Sequence, residues 1–98
     1  MTATMPTQEQ VDKIATALAP DVVRSRVNAG QDWSEHPALY FRVVLSDEAS
    51  RPMRLADITD EVRTKLTEAL GLSQSDRIPY FRFRSQSEQT KIKELAWE

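Results

Sequence analysis

Apolar residues along this chain keep two different rhythms. From Thr7 onward Val11, Ile14, Ala15 and Leu18 recur three or four positions apart, as on one face of a helix, and Pro20 closes the run. Thr7 followed by Gln10 has the form of a capping box, which gives the first free N–H groups of a helix their partners. The rhythm then drops to two. In "DVVRSRVNAG" Val23, Ser25 and Val27 alternate with Arg24 and Arg26. In "ALYFRVVLSD" Leu39, Phe41, Val43 and Leu45 alternate with Tyr40, Arg42 and Val44. Both read as half-buried strands. The intervening "QDWSEHP", helped by Gly30 and stopped by Pro37, is a loop short enough to favour an antiparallel hairpin.

After the loop "DEASRP" the helical period returns in Leu55, Ile58, Val62, Leu66 and Ala69 or Leu70. Asp57 or Thr59 is the expected N-cap, with Asp60 and Glu61 opposing the helix dipole and Gly71 as C-cap. "IPYFRFRS" is a third strand, with Phe81 and Phe83 on one side and Tyr80, Arg82 and Arg84 on the other. Ser85 and Glu88 have capping-box spacing, which predicts a short last helix carrying Ile92 and Leu95. The order is helix, strand, strand, helix, strand, then this short helix. A strand–helix–strand crossover makes strands two and three parallel, with strand three expected beside strand two. Only one sheet face is apolar, so both amphipathic helices belong on it. The prediction is a two-layer α+β domain over residues 7–98, with a three-stranded mixed sheet, helices on one face and a flexible tail at 1–6.

Composition narrows the function classes. The 98 residues carry 13 basic and 15 acidic side chains, a formal charge of −2, which provides no global attraction to nucleic acid or anionic lipid. There is no cysteine, so disulfides, thiol catalysis and thiolate metal sites are excluded. No apolar run approaches the roughly 20 residues of a membrane span. "MTATMPTQEQ" lacks the basic start and apolar centre of a secretory signal, so a cytoplasmic protein is the simplest expectation.

The three registers together make an uneven surface. The side of the sheet away from the helices is predicted to carry Arg24, Arg26, Tyr40, Arg42, Tyr80, Arg82 and Arg84, five of the chain's nine arginines with both tyrosines. Like charges adjacent across strands are unfavourable by a few tenths of a kcal/mol per pair, so something offsets them. One offset is local: stacking on the tyrosines and pairing with Asp47, Glu48, Asp76 or tail acids. A second is a protein partner with an acidic surface, for which Arg and Tyr are favoured anchors. The third is single-stranded nucleic acid, with bases stacked on the rings and phosphates held by guanidinium forks. A basic stripe on an acidic domain ranks the protein partner above nucleic acid. The exposed edge of a three-stranded sheet also suits a homodimer.

Catalytic chemistry finds little support. His36, the sole histidine, lies near Asp32 and Glu35 in a spacing that matches no metal motif, and a solvated loop histidine is the expected reading. With only Gly30 and Gly71 no glycine-rich phosphate loop is available, and no serine or threonine sits in a nucleophile elbow. The expectation is a non-enzymatic chain with no catalytic residue, metal or cofactor. Trp33, in the polar loop, is expected to fold back over the sheet edge or, if exposed, to anchor an interface. Trp97 carries the same ambiguity.

Two resemblances add to this reading. The element order, "LSD" at the end of strand two and "IPYFRFRSQSEQTKIKEL" resemble ribosome-binding factor A, a variant KH fold of the second type that binds the small ribosomal subunit. That resemblance implies RNA binding; the chain has no GXXG loop, and no binding residue is carried across. "HPALYFRVVLSDEASR" and "IPYFRFRSQSEQTKIKELAW" are similar to small bacterial proteins encoded beside HEPN-type proteins in toxin–antitoxin-like pairs. This second resemblance implies a HEPN-type protein partner and an antitoxin-like role.

Overall fold

A computed structural model describes residues 5–98; Met1 to Thr4 of the expected tail lie outside the described residues. Its elements are α1 (Gln8–Ala17), β1 (Val22–Gln31), β2 (Pro37–Leu45), α2 (Pro52–Leu70), β3 (Ile78–Ser85) and α3 (Gln86–Ile92), with 3₁₀ turns at Leu72–Gln74 and Leu95–Trp97. The sheet order is β1-β2-β3, the first pair antiparallel and the second parallel, as the strand–helix–strand order requires.

Both capping boxes form. Thr7 Oγ1 accepts from Gln10 N–H while Gln10 reaches back to Thr7 N–H, and Ser85 and Glu88 do the same for α3. Asp47, in the turn after β2, accepts from both the N–H and the hydroxyl of Ser87; those bonds hold its carboxyl below the usual range and tie the start of α3 to the sheet. Gly71 ends α2 at φ 60°, a left-handed conformation that glycine adopts without a Cβ penalty.

Leu39, Phe41, Val43 and Leu45 line one face of β2 and are fully buried against Val11 and Ala15 of α1 and Ile58, Val62 and Leu66 of α2. This is the predicted two-layer α+β arrangement. Four details differ. The start of α2 is Pro52 rather than a cap at Asp57 or Thr59, because proline fits the first helical turn, where its missing N–H has no role. Earlier in the chain a bulge between Val22 and Arg24 hands the first core position of β1 to Val22, leaving Val23 exposed. Past the core stripe, Leu55 is 38% exposed. In the last segment Gln89 is the buried residue, while Ile92 and Leu95 face solvent, because Lys93 at φ 57° stops the helix and turns the chain away.

Candidate interaction surface

Register places the predicted residues on one face. Tyr40 stands opposite Tyr80, Arg42 opposite Arg82 and Val44 opposite Arg84, while Arg26 pairs across β1 with Arg42. All seven sheet residues expected on the helix-free side are therefore together, but they divide into two halves.

One half is covered by the chain itself. Beyond α3 the backbone crosses to this face, and the turn Leu95–Trp97 lies against β1 and β2. Trp97 is 4% exposed, Val44 is fully buried, and the Arg84 guanidinium sits 4.3 Å from the indole centroid. Arg24 bonds the Trp97 carbonyl and the Glu98 carboxylate at 2.8 Å each. Arg26 donates to the Glu98 carbonyl and lies 3.5 Å from Asp12, and Arg84 reaches Glu94 at 2.6 Å. Gln89 fixes this cover, donating to the Glu94 carbonyl at 2.8 Å and accepting from Arg84 at 3.1 Å. For Arg24, Arg26 and Arg84, like-charge crowding is offset locally. The expectation of a wholly helix-free side fails here, because the buried Trp97 holds the C-terminal segment across it.

The other half is open and adjoins the β1–β2 loop. Tyr40 and Tyr80 stack on each other with centroids 5.5 Å apart and ring planes 19° apart. Arg42 donates to the neutral Asn28 side chain at 2.7 Å and lies 6.0 Å from the Tyr40 centroid, and it makes no ion pair among the described residues. Arg82 is exposed and makes no side-chain hydrogen bond or ion pair among the described residues. Trp33 is 94% exposed at the tip of the loop, the reverse of folding back.

The loop holding that indole is bonded throughout. Asp32, with its side chain 5% exposed, accepts from the Ser34 N–H and hydroxyl, the His36 N–H and the Tyr80 hydroxyl, at 2.8 to 3.0 Å. Asp32 N–H and C=O close the turn with His36 and Glu35, and Glu35 takes φ 67°. Tyr40 completes the frame by donating to the Gln31 carbonyl at 2.8 Å. The tyrosine pair and the tryptophan loop are thus one bonded unit. Burial by itself would raise the Asp32 carboxyl, but the bonds from Tyr80, His36 and Ser34 outweigh it and bring it from 3.8 to about 2. The Tyr80 phenol is pushed up, first by its bond to Asp32, and stays a donor.

Ser34, His36 and Asp32 meet in this loop with a geometry that orients rather than activates. An ionised Asp32 only accepts, so the Ser34 hydrogen points to it. His36 Nδ1, 2.9 Å from the Ser34 oxygen, then meets it as a donor and is not placed to take its proton. Among the described residues no group of three or more His, Cys, Asp or Glu side chains is arranged to hold a metal ion, and no helix is long and apolar enough to cross a membrane.

Sequence reasoning missed Asn28, the neutral partner of Arg42, and Asp32 as the anchor of the loop. The second was legible: Asp followed two positions later by Ser is the pattern of a side-chain-closed turn.

The depressed Asp32 group makes an acid transition measurable. Its ionised form is favoured by the fold, so that stabilisation is complete above 3.8 and is lost as pH falls through about 2. The resonances of the Ser34 and His36 backbone N–H groups, which donate to Asp32, are expected to hold their positions down to about pH 4 and to shift toward disordered-loop values as pH falls through about 2. Asp32→Ala, which removes the acceptor altogether, is expected to show the disordered-loop values already at pH 7. Ser34 and His36 N–H signals that are the same in Asp32→Ala as in wild type at pH 7 would contradict the assignment.

No family model, curated protein or solved structure matches this chain.

Proposed function

We propose that this chain is a non-enzymatic protein-interaction module, the small, antitoxin-like member of a bacterial two-gene pair, which grips its partner with the Trp33 loop and the adjoining Tyr40, Tyr80, Arg42 and Arg82 patch. The observation that carries the reading is Trp33, 94% exposed yet fixed on a loop whose turn is hydrogen-bonded through Asp32. With the loop backbone already held by the turn, ordering on binding is confined to the two χ angles of the indole, which offers a large apolar area to a pocket. Arg42 and Arg82 lie on the same sheet face two positions beyond the tyrosine pair, without an acidic side-chain partner among the described residues, which suits an acidic surface on that partner. The two-gene setting and the HEPN-type partner rest on the sequence resemblance alone.

Single-stranded RNA, the alternative implied by the likeness to ribosome-binding factor A, has less support. Tyr40 stacks on Tyr80 and lies close against Gly30, which leaves the outer face of Tyr80 as the one tyrosine face for a base, whereas a base-stacking platform uses several. Capture of the product of the adjacent gene by the tagged chain tests the reading. Wild type is expected to retain that protein and to show no oligonucleotide binding at about 50 mM salt. The double variant Arg42→Glu, Arg82→Glu is expected to lose capture by about tenfold or more. Equal capture by the double variant removes the sheet patch from the interface, and oligonucleotide binding with a steep salt dependence replaces the reading with the RNA one.

A further inference from the structure

The two outer edges of the sheet are not equivalent. On β1 the outward groups Ser25 C=O and Val27 N–H are both taken by the side chain of Gln8, which donates to the carbonyl at 2.7 Å and accepts from the N–H at 3.0 Å. The amide of Gln8 supplies what a neighbouring strand would supply, and the middle of that edge is capped.

The same two bonds fix the phase of the whole sheet. Ser25 and Val27 turn their backbone groups away from β2, so their partners Val43 and Phe41 turn theirs away from β1 and toward β3. In a parallel ladder the residues directly opposite, Phe83 and Phe81, then point their N–H and C=O outward. Two local facts agree. Pro79, which has no N–H to give, stands at the same parity, and the Ser85 N–H goes to Glu88 Oε1 at 3.1 Å rather than to β2. No side chain among the described residues bonds the backbone of Phe81 or Phe83. The third strand is therefore an unguarded edge, with two half-buried phenylalanines along it.

We propose that a second copy of this chain pairs antiparallel along β3 about a two-fold axis at Phe81, joining two three-stranded sheets into one of six strands. The strand is self-complementary in that register and not in the next. With the axis at Arg82 the available N–H and C=O groups of Phe81 and Phe83 are also satisfied, but Arg82 faces Arg82 of the second copy and like charge opposes it. With the axis at Phe81, the two Phe81 residues exchange N–H···O=C bonds and each Phe83 N–H reaches the Pro79 carbonyl opposite. Each Arg82 then faces Tyr80 of the second copy, an attractive cation–aromatic pair. On the helix side Phe81, already stacked on Phe41 at 5.1 Å, meets its own counterpart and extends the aromatic row across the junction.

Light scattering on the full chain, diluted from about 100 to 1 µM, tests this without reference to any other partner. The expected mass at the top is twice the chain's 11.2 kDa, falling toward 11.2 kDa on dilution. A mass of 11.2 kDa at every concentration overturns the proposal. Phe83→Pro removes an outward N–H and none of the bonds to β2; it is expected to give a folded monomer, and a folded dimer would show that another surface is used. Amide exchange of the wild-type chain covers the case in which that variant does not fold. Phe81 and Phe83 amides are expected to slow by about tenfold or more in the concentrated sample relative to the dilute one. Fast exchange of both in a sample of doubled mass overturns the edge assignment.

Discussion

Trp33→Ala is expected to weaken partner capture by about 30-fold or more while leaving the unfolding curve of the free chain unchanged. The asymmetry follows from where the indole sits. At 94% exposure it makes almost no contact within its own chain, so truncation removes nothing the fold depends on. In a complex the same ring would bury on the order of 200 Å², at roughly 25 cal/mol per Å² an upper bound of about 5 kcal/mol, of which hot-spot tryptophans typically show 2–4 kcal/mol. The loop bonds decide how much of that is realised. Because Asp32 already holds Ser34, His36 and Tyr80 in place, little ordering is left to oppose binding. Titration calorimetry against the adjacent gene product, with urea unfolding of both forms in parallel, separates the two quantities. A variant that binds as tightly as wild type removes Trp33 from the interface.

Phe41→Ala is expected to have the opposite profile: a loss of about 3–5 kcal/mol in unfolding free energy, from a total that for such domains is about 5–15 kcal/mol. Phe41 is at the centre of the middle strand, fully buried, stacked on Phe81 and enclosed by residues of both large helices. Interiors are close-packed, so a ring removed there leaves a cavity that two helices and a sheet cannot all move to fill. Urea unfolding measures it. A loss below about 1 kcal/mol would mean that the helices do not pack on β2 as described.

The contrast between these two aromatic residues marks what could be read from the sequence. Phe41 lies in an unbroken alternation from Leu39 to Leu45, and a strand's period of two assigns every member of such a run to a face. The same logic gathered Tyr40, Arg42, Tyr80, Arg82 and Arg84 correctly, since register follows from the buried face. Trp33 lies outside any period. Its exposure depends on a turn closed by Asp32 and on Tyr80, 48 positions away, reaching that carboxylate. Periodicity carries no information about such contacts. For a related reason the C-terminal cover is only one of two alternatives that the sequence leaves for Trp97. Ile92 and Leu95 look like the apolar members of the last segment, but a left-handed Lys93 turns the chain and Trp97 becomes the buried one. The bulge in β1 moved the core position by one residue, which alternation alone does not reveal.

The chain's two tryptophans occupy opposite extremes, Trp33 at 94% and Trp97 at 4% exposure. Their emission is accordingly separable: a red, readily quenched component from the solvated loop, and a shielded one from the indole capped by Arg84. The molecule thus carries two intrinsic optical probes, one on the exposed β1–β2 loop and one in the C-terminal segment that covers Arg24, Arg26 and Arg84.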